Sequence, residues 1–122
     1  MKIKNIIEEK NLKVTSARKE LLGILTSLKN PVSFEDIKHK IHMDKATFYR
    51  NISKFESESI VNSFESNDKK RYYEMRKFPH SHFICNTCNT VECLENVPPP
   101  ALQGYTVLDA VYKGICKNCN LK

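Results

Sequence analysis

Along the first sixty positions apolar residues recur at helical spacing, and beyond them the pattern changes to short extended runs. Ile3, Ile6 and Ile7 form a short helical stripe. A second helix opens at Thr15, a residue suited to capping, and its buried face is Leu21, Leu25 and Leu28. Asn30-Pro31 ends it. Ser33 with Asp36 three residues on makes a capping box for a third helix with Phe34, Ile37 and Ile41 inward. A fourth begins after Asp44. Its core stripe is Phe48, Ile52 and Phe55, so Ala46, Arg50, Ser53 and, on the flank, Tyr49 face away from the core.

After Ser59 the runs 60–66 and 71–75 alternate as strands do, and the polar stretch Asn67-Asp68-Lys69-Lys70 between them reads as the turn of a hairpin. Short helices followed by a basic-tipped hairpin are a winged-helix arrangement. Arg76, Lys77, Phe78 and Pro79 read as a linker. Beyond it lie strands at 83–85, 91–94 and 105–112. The interval 96–104 contains Pro98-Pro99-Pro100, which rules out an ordinary helix interior there. The expected fold is α+β: a winged-helix domain over residues 1–77 and a small zinc-stabilised α/β or mostly-β domain over residues 78–122.

Charge sharpens this division. The chain of 122 residues carries a net +6, and residues 1–77 hold 17 Lys/Arg against 11 Asp/Glu while residues 78–122 hold 3 against 3. The whole excess sits on the helical part, as in a polyanion-binding module joined to a neutral one, although a lysine-rich solvated surface gives the same count. The sequence has no apolar leader and no run long enough for a membrane span. Its five cysteines therefore point to a reducing, cytoplasmic setting and to metal ligation in preference to disulfides.

Four of those cysteines form two knuckles, Cys85-x-x-Cys88 and Cys116-x-x-Cys119, separated by 27 residues. Two intervening residues let both sulfurs of a knuckle reach one ion, and two knuckles fill all four tetrahedral positions. Such a site is closed to water, hence structural. Zinc there supplies folding free energy that a small strand-rich module lacks. Disulfides and inert thiols are the competing readings. A zinc hydrolase or deaminase needs an open metal position beside a general base, and the His-x-Glu signature of the deaminases is absent, so no enzyme is expected.

Several segments occur in one order: Lys13-Val14-Thr15-Ser16-Ala17-Arg18, Ala46-Thr47-Phe48-Tyr49-Arg50-Asn51, Arg71-Tyr72-Tyr73-Glu74, His80-Ser81-His82-Phe83-Ile84-Cys85 and the two knuckles. Together they resemble the ferric-uptake-regulator family of metal-responsive repressors over nearly the whole chain. The resemblance implies a DNA-reading winged helix and a homodimerising zinc module that together bind a pseudo-palindromic operator in double-stranded DNA. On the recognition helix it places Thr47, Tyr49 and Arg50 at DNA. Arg50 suits a phosphate clamp or a bidentate pair with guanine, and Tyr49 suits a thymine methyl. Arg18, Lys69, Lys70 and Arg71 are candidate phosphate contacts, with plain solvated surface as the competing reading.

His80 and His82 lie on the same side of an extended segment. The resemblance makes them ligands of a regulatory divalent ion (zinc, iron or manganese), with Glu74 as a third. It also shows two departures. Pro31 stands where many members carry a histidine; His39 and His42 are nearby substitutes or ordinary surface residues. Cys93 stands where the family places a carboxylate, with Glu92 one residue away and facing the opposite side of a strand. Cys93 is read either as a ligand, giving Glu74, His80, His82 and Cys93, or as a small buried hydrophobe. A constitutive DNA-binding regulator with a degenerate sensing site, a redox- or haem-responsive variant, and a protein-docking module are the alternative functions. In place of the family's helix between the last two strands, the chain has only the proline-rich interval, so a smaller dimer interface is expected.

Overall fold

Three of the helices start at a polar cap, Thr15, Ser33 or Asp44. The computed structural model describes residues 3–76 and 79–122, and the linker expected at Lys77 and Phe78 lies outside them. Helix α1 spans Ile3–Glu9 and α2 spans Ser16–Ser27, where the Thr15 hydroxyl accepts from the Arg18 backbone N–H. The two-residue strand β1 (Val32–Ser33) runs into α3 (Phe34–Ile37) through the complete Ser33–Asp36 capping box. Helix α4 (Lys45–Ser57) is capped by Asp44, whose Oδ1 accepts from the Thr47 N–H at 2.8 Å. Strands β2 (Val61–Glu65) and β3 (Arg71–Met75) are neighbours in a sheet of order β1-β3-β2.

The chain divides into two compact units. The first comprises the described residues up to Phe64 together with Tyr72–Arg76. Its core is Ile7, Leu21, Leu22 and Leu25 from α1 and α2, Ile37, then Phe48, Ile52 and Phe55 from α4, closed by Ile60, Val61, Tyr73 and Met75. Full burial stabilises each of the large apolar side chains by about 1.5–3 kcal/mol. This stripe turns the opposite side of α4 outward.

The second unit comprises Glu65–Arg71 and the described residues from 79 onward. Strand β4 (His80–Cys85) is central: β5 (Val91–Leu94) pairs with it antiparallel and β6 (Asp109–Gly114) parallel, in the order β5-β4-β6. A one-turn helix, α5 (Lys117–Asn120), follows Cys116. The buried apolar residues here, among the described ones, are Ile84, Cys85, Val91 and Cys93, too few for a self-sufficient core.

Three expectations need correction. The third helix ends at Ile37: Lys38 N–H closes its one turn on the Phe34 carbonyl, and Lys40 N–H then bonds Ile37 three residues back, tightening the chain into turns. Ile41 packs against the core from outside any helix. The last strand begins at Asp109 instead of 105, because β4 offers partners only from His80, which faces Asp109. Tyr105 is held in a turn by its N–H to the Leu102 carbonyl. The strand expected at 83–85 starts at His80 and so includes both histidines.

Candidate metal centres and nucleic-acid interface

Strand β4 delivers Cys85 at its end, the following turn delivers Cys88, and Cys116 and Cys119 flank and enter α5. Cys85 Sγ lies 3.8 Å from Cys119 Sγ, and Cys88 Sγ lies 3.8 Å from Cys116 Sγ. Bonds of about 2.3 Å at the tetrahedral angle put two zinc-bound sulfurs about 3.8 Å apart, so these spacings fit one zinc and not a disulfide. The Cys85 sulfur accepts backbone N–H groups from Thr87 at 3.3 Å and from Cys88 and Cys116 at 3.4 Å. The bonds from Cys88 and then Cys116 hold its thiol down to about 6, while the neighbouring Cys116 thiol drives Cys119 up to about 12. Four sulfurs this close cannot all carry uncompensated charge; a dication resolves the conflict.

A second cluster lies on the same sheet. His80 and His82 point to one side of β4 with their Nε2 atoms 3.1 Å apart, and Cys93 on β5 stands directly opposite His82. The ligand atoms of His80, His82 and Cys93 all lie within 4.8 Å of one another, and all three residues are buried. Two imidazoles on one zinc, with bonds of about 2.0–2.1 Å, would have nitrogens roughly 3.3 Å apart, close to the spacing found. Glu92, one residue from Cys93, is exposed. Glu74 is buried near the end of β3 in the first unit. Pro31 is buried beside β1, His39 is exposed, and the His42 ring meets Glu20, with Nδ1 2.5 Å from Oε2. Neither His39 nor His42 belongs to either of the metal-competent clusters found among the described residues.

On α4, Arg50 is exposed and its Nη2 donates to the Thr47 hydroxyl at 3.3 Å. Tyr49 remains 40% exposed although its ring lies 5.1 Å from Phe48 and 5.7 Å from Phe34, so one ring edge is anchored and the rest is presented to solvent. Arg18 is half-buried. Its Nε donates to Asn51 Oδ1 at 3.0 Å, and its Nη1 donates to the Lys13 carbonyl at 2.9 Å. Asn51 in turn donates to the Thr47 carbonyl at 3.0 Å. The sequence reading missed Asn51; its signal was a polar residue placed between the core positions Phe48 and Ile52. Lys69, at φ 65°, and Lys70 are exposed at the hairpin tip, where the turn is held by Ser66 and Asp68. Arg71 is exposed at the start of β3.

The ferric uptake regulator family matches residues 9–103 of the chain. The ferric uptake regulation protein of Neisseria meningitidis is 30% identical over 132 aligned positions, which cover 95% of this chain and 92% of that one. The protein of the same name from Campylobacter upsaliensis is 28% identical, with 99% and 88% covered. Among solved structures, the ferric uptake regulator from Pseudomonas aeruginosa with manganese superposes with a TM-score of 0.76 at 22% identity, covering 96% of this chain and 99% of that one. The Helicobacter pylori ferric uptake regulator gives 0.72 at 22% identity, covering 96% and 88%. At these identities the structures speak for the fold alone. The chain belongs to the ferric uptake regulator family of metal-responsive transcriptional regulators, proteins that bind DNA and act as dimers.

Proposed function

We propose that this chain is a cytoplasmic, homodimeric repressor that reads a pseudo-palindromic operator when a divalent ion occupies its second metal cluster. Residues 1–77 carry DNA recognition and residues 78–122 carry zinc and dimerisation. The observation that supports this most is the two-sidedness of α4, which buries Phe48, Ile52 and Phe55 and leaves Arg50 and much of Tyr49 in solvent. A helix held from behind by a core and carrying an arginine and an aromatic ring outward suits the major groove. Thr47 steadies the Arg50 guanidinium, and Arg18, Lys69 and Lys70 serve phosphates, Arg18 with the donor capacity left after its bonds to Asn51 and Lys13.

Cys85, Cys88, Cys116 and Cys119 hold the structural zinc. His80, His82 and Cys93 hold the regulatory ion, with Glu74 as the further ligand that the family likeness assigns to it. The ion acts by binding the DNA-competent arrangement more tightly than the alternative, which shifts the population toward it. Relatives provide precedent for metal occupancy: the Pseudomonas aeruginosa structure holds manganese and the one from Francisella tularensis holds iron.

A constitutive regulator is the second reading, favoured by Pro31 at the position of a family histidine. Duplex binding measured with and without the labile ion separates the two. A metal-dependent repressor loses operator affinity on gentle chelation, and His80→Ala with His82→Ala abolishes its response. Tight binding indifferent to both treatments establishes the constitutive form.

A further inference from the structure

The pairing of β4 with β5 decides which side chain faces the two imidazoles. Cys93 is opposite His82 and 9% exposed, whereas Glu92 is opposite Phe83 on the solvent side. Bringing Glu92 inward would require a one-residue slip. That slip would turn the two buried residues of β5, Val91 and Cys93, outward and carry the charged Glu92 inward. The inward group is thus fixed as a sulfur.

The donors converging within this unit are two imidazole nitrogens and one thiol sulfur, all buried. Thiolate and imidazole suit zinc in four-coordinate sites, while manganese and ferrous ions favour oxygen-rich sets of higher coordination number. The 3.1 Å between the His80 and His82 nitrogens lets both reach one ion at a tetrahedral or at a cis octahedral angle alike, so the preference between ions rests on the donor set.

Resting on the reading of this cluster as the regulatory site, we propose that Cys93 is its selectivity-determining ligand and makes the protein respond to zinc in preference to iron or manganese. Zinc has a general affinity advantage over manganese at most sites. The informative quantity is therefore how far a carboxylate at position 93 changes that advantage.

The experiment uses full-length protein stripped by gentle chelation, with one retained zinc per chain verified before and after titration. Cobalt(II) added to this protein is expected to give tetrahedral visible bands and a near-ultraviolet sulfur-to-cobalt charge-transfer band. The Cys93→Asp variant should bind cobalt without the charge-transfer band, and its zinc-to-manganese affinity ratio should fall by more than about 100-fold, beyond what outer-sphere changes alone produce. Cys93→Ser, checked for unchanged zinc retention and circular dichroism, controls for folding. A cobalt complex of the unaltered protein with no sulfur band, or an affinity ratio that Cys93→Asp leaves unchanged, overturns the proposal while sparing the regulatory site. Failure of the unaltered protein to bind any second ion overturns both.

Discussion

Arg18 on α2 donates its Nε–H to Oδ1 of Asn51 on α4 at 3.0 Å, and Asn51 passes the constraint on through its bond to the Thr47 carbonyl. Two helices are thereby fixed relative to each other at the residue next to Arg50. Asn51→Ala removes both bonds and leaves the half-buried guanidinium without its side-chain acceptor, which should destabilise the first unit by about 1–3 kcal/mol. The expected signature is a lower denaturant midpoint with unchanged slope, together with weaker operator binding. Arg18→Lys keeps the charge but loses the planar Nε–H, so it should behave like Asn51→Ala in stability.

Arg50 and Tyr49 should show the opposite pattern. Neither residue is in the buried core, so Arg50→Ala is expected to leave thermal stability nearly unchanged, Tyr49→Ala to lower it by about 0.5–1.5 kcal/mol through its lost ring contacts with Phe34 and Phe48, and both to weaken duplex binding. The form of the loss assigns the contact. A phosphate clamp lost at Arg50 lowers affinity evenly across sequences and reduces the salt slope by about 1 per site, whereas a lost guanine pair costs about 1–3 kcal/mol at one base position and relaxes discrimination there. Fluorescence anisotropy over a salt series on operator and scrambled duplexes distinguishes them.

Stripping the four-thiolate site should unfold one unit and spare the other. Among the described residues the first unit has twelve in its buried apolar core and the second has four buried apolar residues. Cys116→Ser, or exhaustive chelation, should therefore remove amide-exchange protection from β4, β5 and β6 while α2 and α4 keep theirs. Uniform loss of protection throughout the chain would show the two units to be energetically inseparable.

What could be read in advance follows the range of the forces involved. Thr15, Ser33 with Asp36, and Asp44 mark helix starts because a cap acts over three residues. The stripe Phe48, Ile52 and Phe55 fixes the buried side of α4 for the same local reason. The two knuckles were legible because zinc dictates their spacing. Strand β1 was not, since two residues become a strand only by pairing with Tyr72 and Tyr73 some forty positions later. The start of β6 likewise depends on where β4 begins. Asn51 was overlooked because its value comes from Arg18, 33 positions away and on another helix. The partnership of Cys93 with the histidines was legible only as one of two registers, and strand pairing settles which one.

Strand β6 is the edge of its sheet, and Val111 and Tyr112 on it are 41% and 39% exposed on opposite faces. Tyr105, Leu108 and Ile115 nearby are also exposed. An apolar edge of this kind needs a cover, and a second copy supplies one in a family that acts as dimers. Val111→Lys combined with Tyr112→Lys should yield a monomer in sedimentation velocity that retains its zinc, while operator affinity drops to that of one half-site. A dimer that persists would place the interface elsewhere on the second unit.

The start of α4 should carry a pH signature of its own. Hydrogen bonds from the Thr47 hydroxyl and then its backbone N–H hold the Asp44 carboxyl below its ordinary range. Since the folded value is the lower one, this cap contributes its full stability above the ordinary carboxylate value of about 3.9 and loses it as pH falls through the folded value beneath that. Glu20 shifts the same way through its bond with His42, so whole-protein acid unfolding mixes the two groups. A local probe is therefore required: the Thr47 amide proton, which Asp44 Oδ1 accepts, should move with the Asp44 titration and with no other group. In Asp44→Asn the side-chain oxygen still accepts that bond but cannot protonate. The helix start should persist and its amide shift should become flat with pH; a slope surviving the substitution would mean that a different carboxylate governs the first turn of α4.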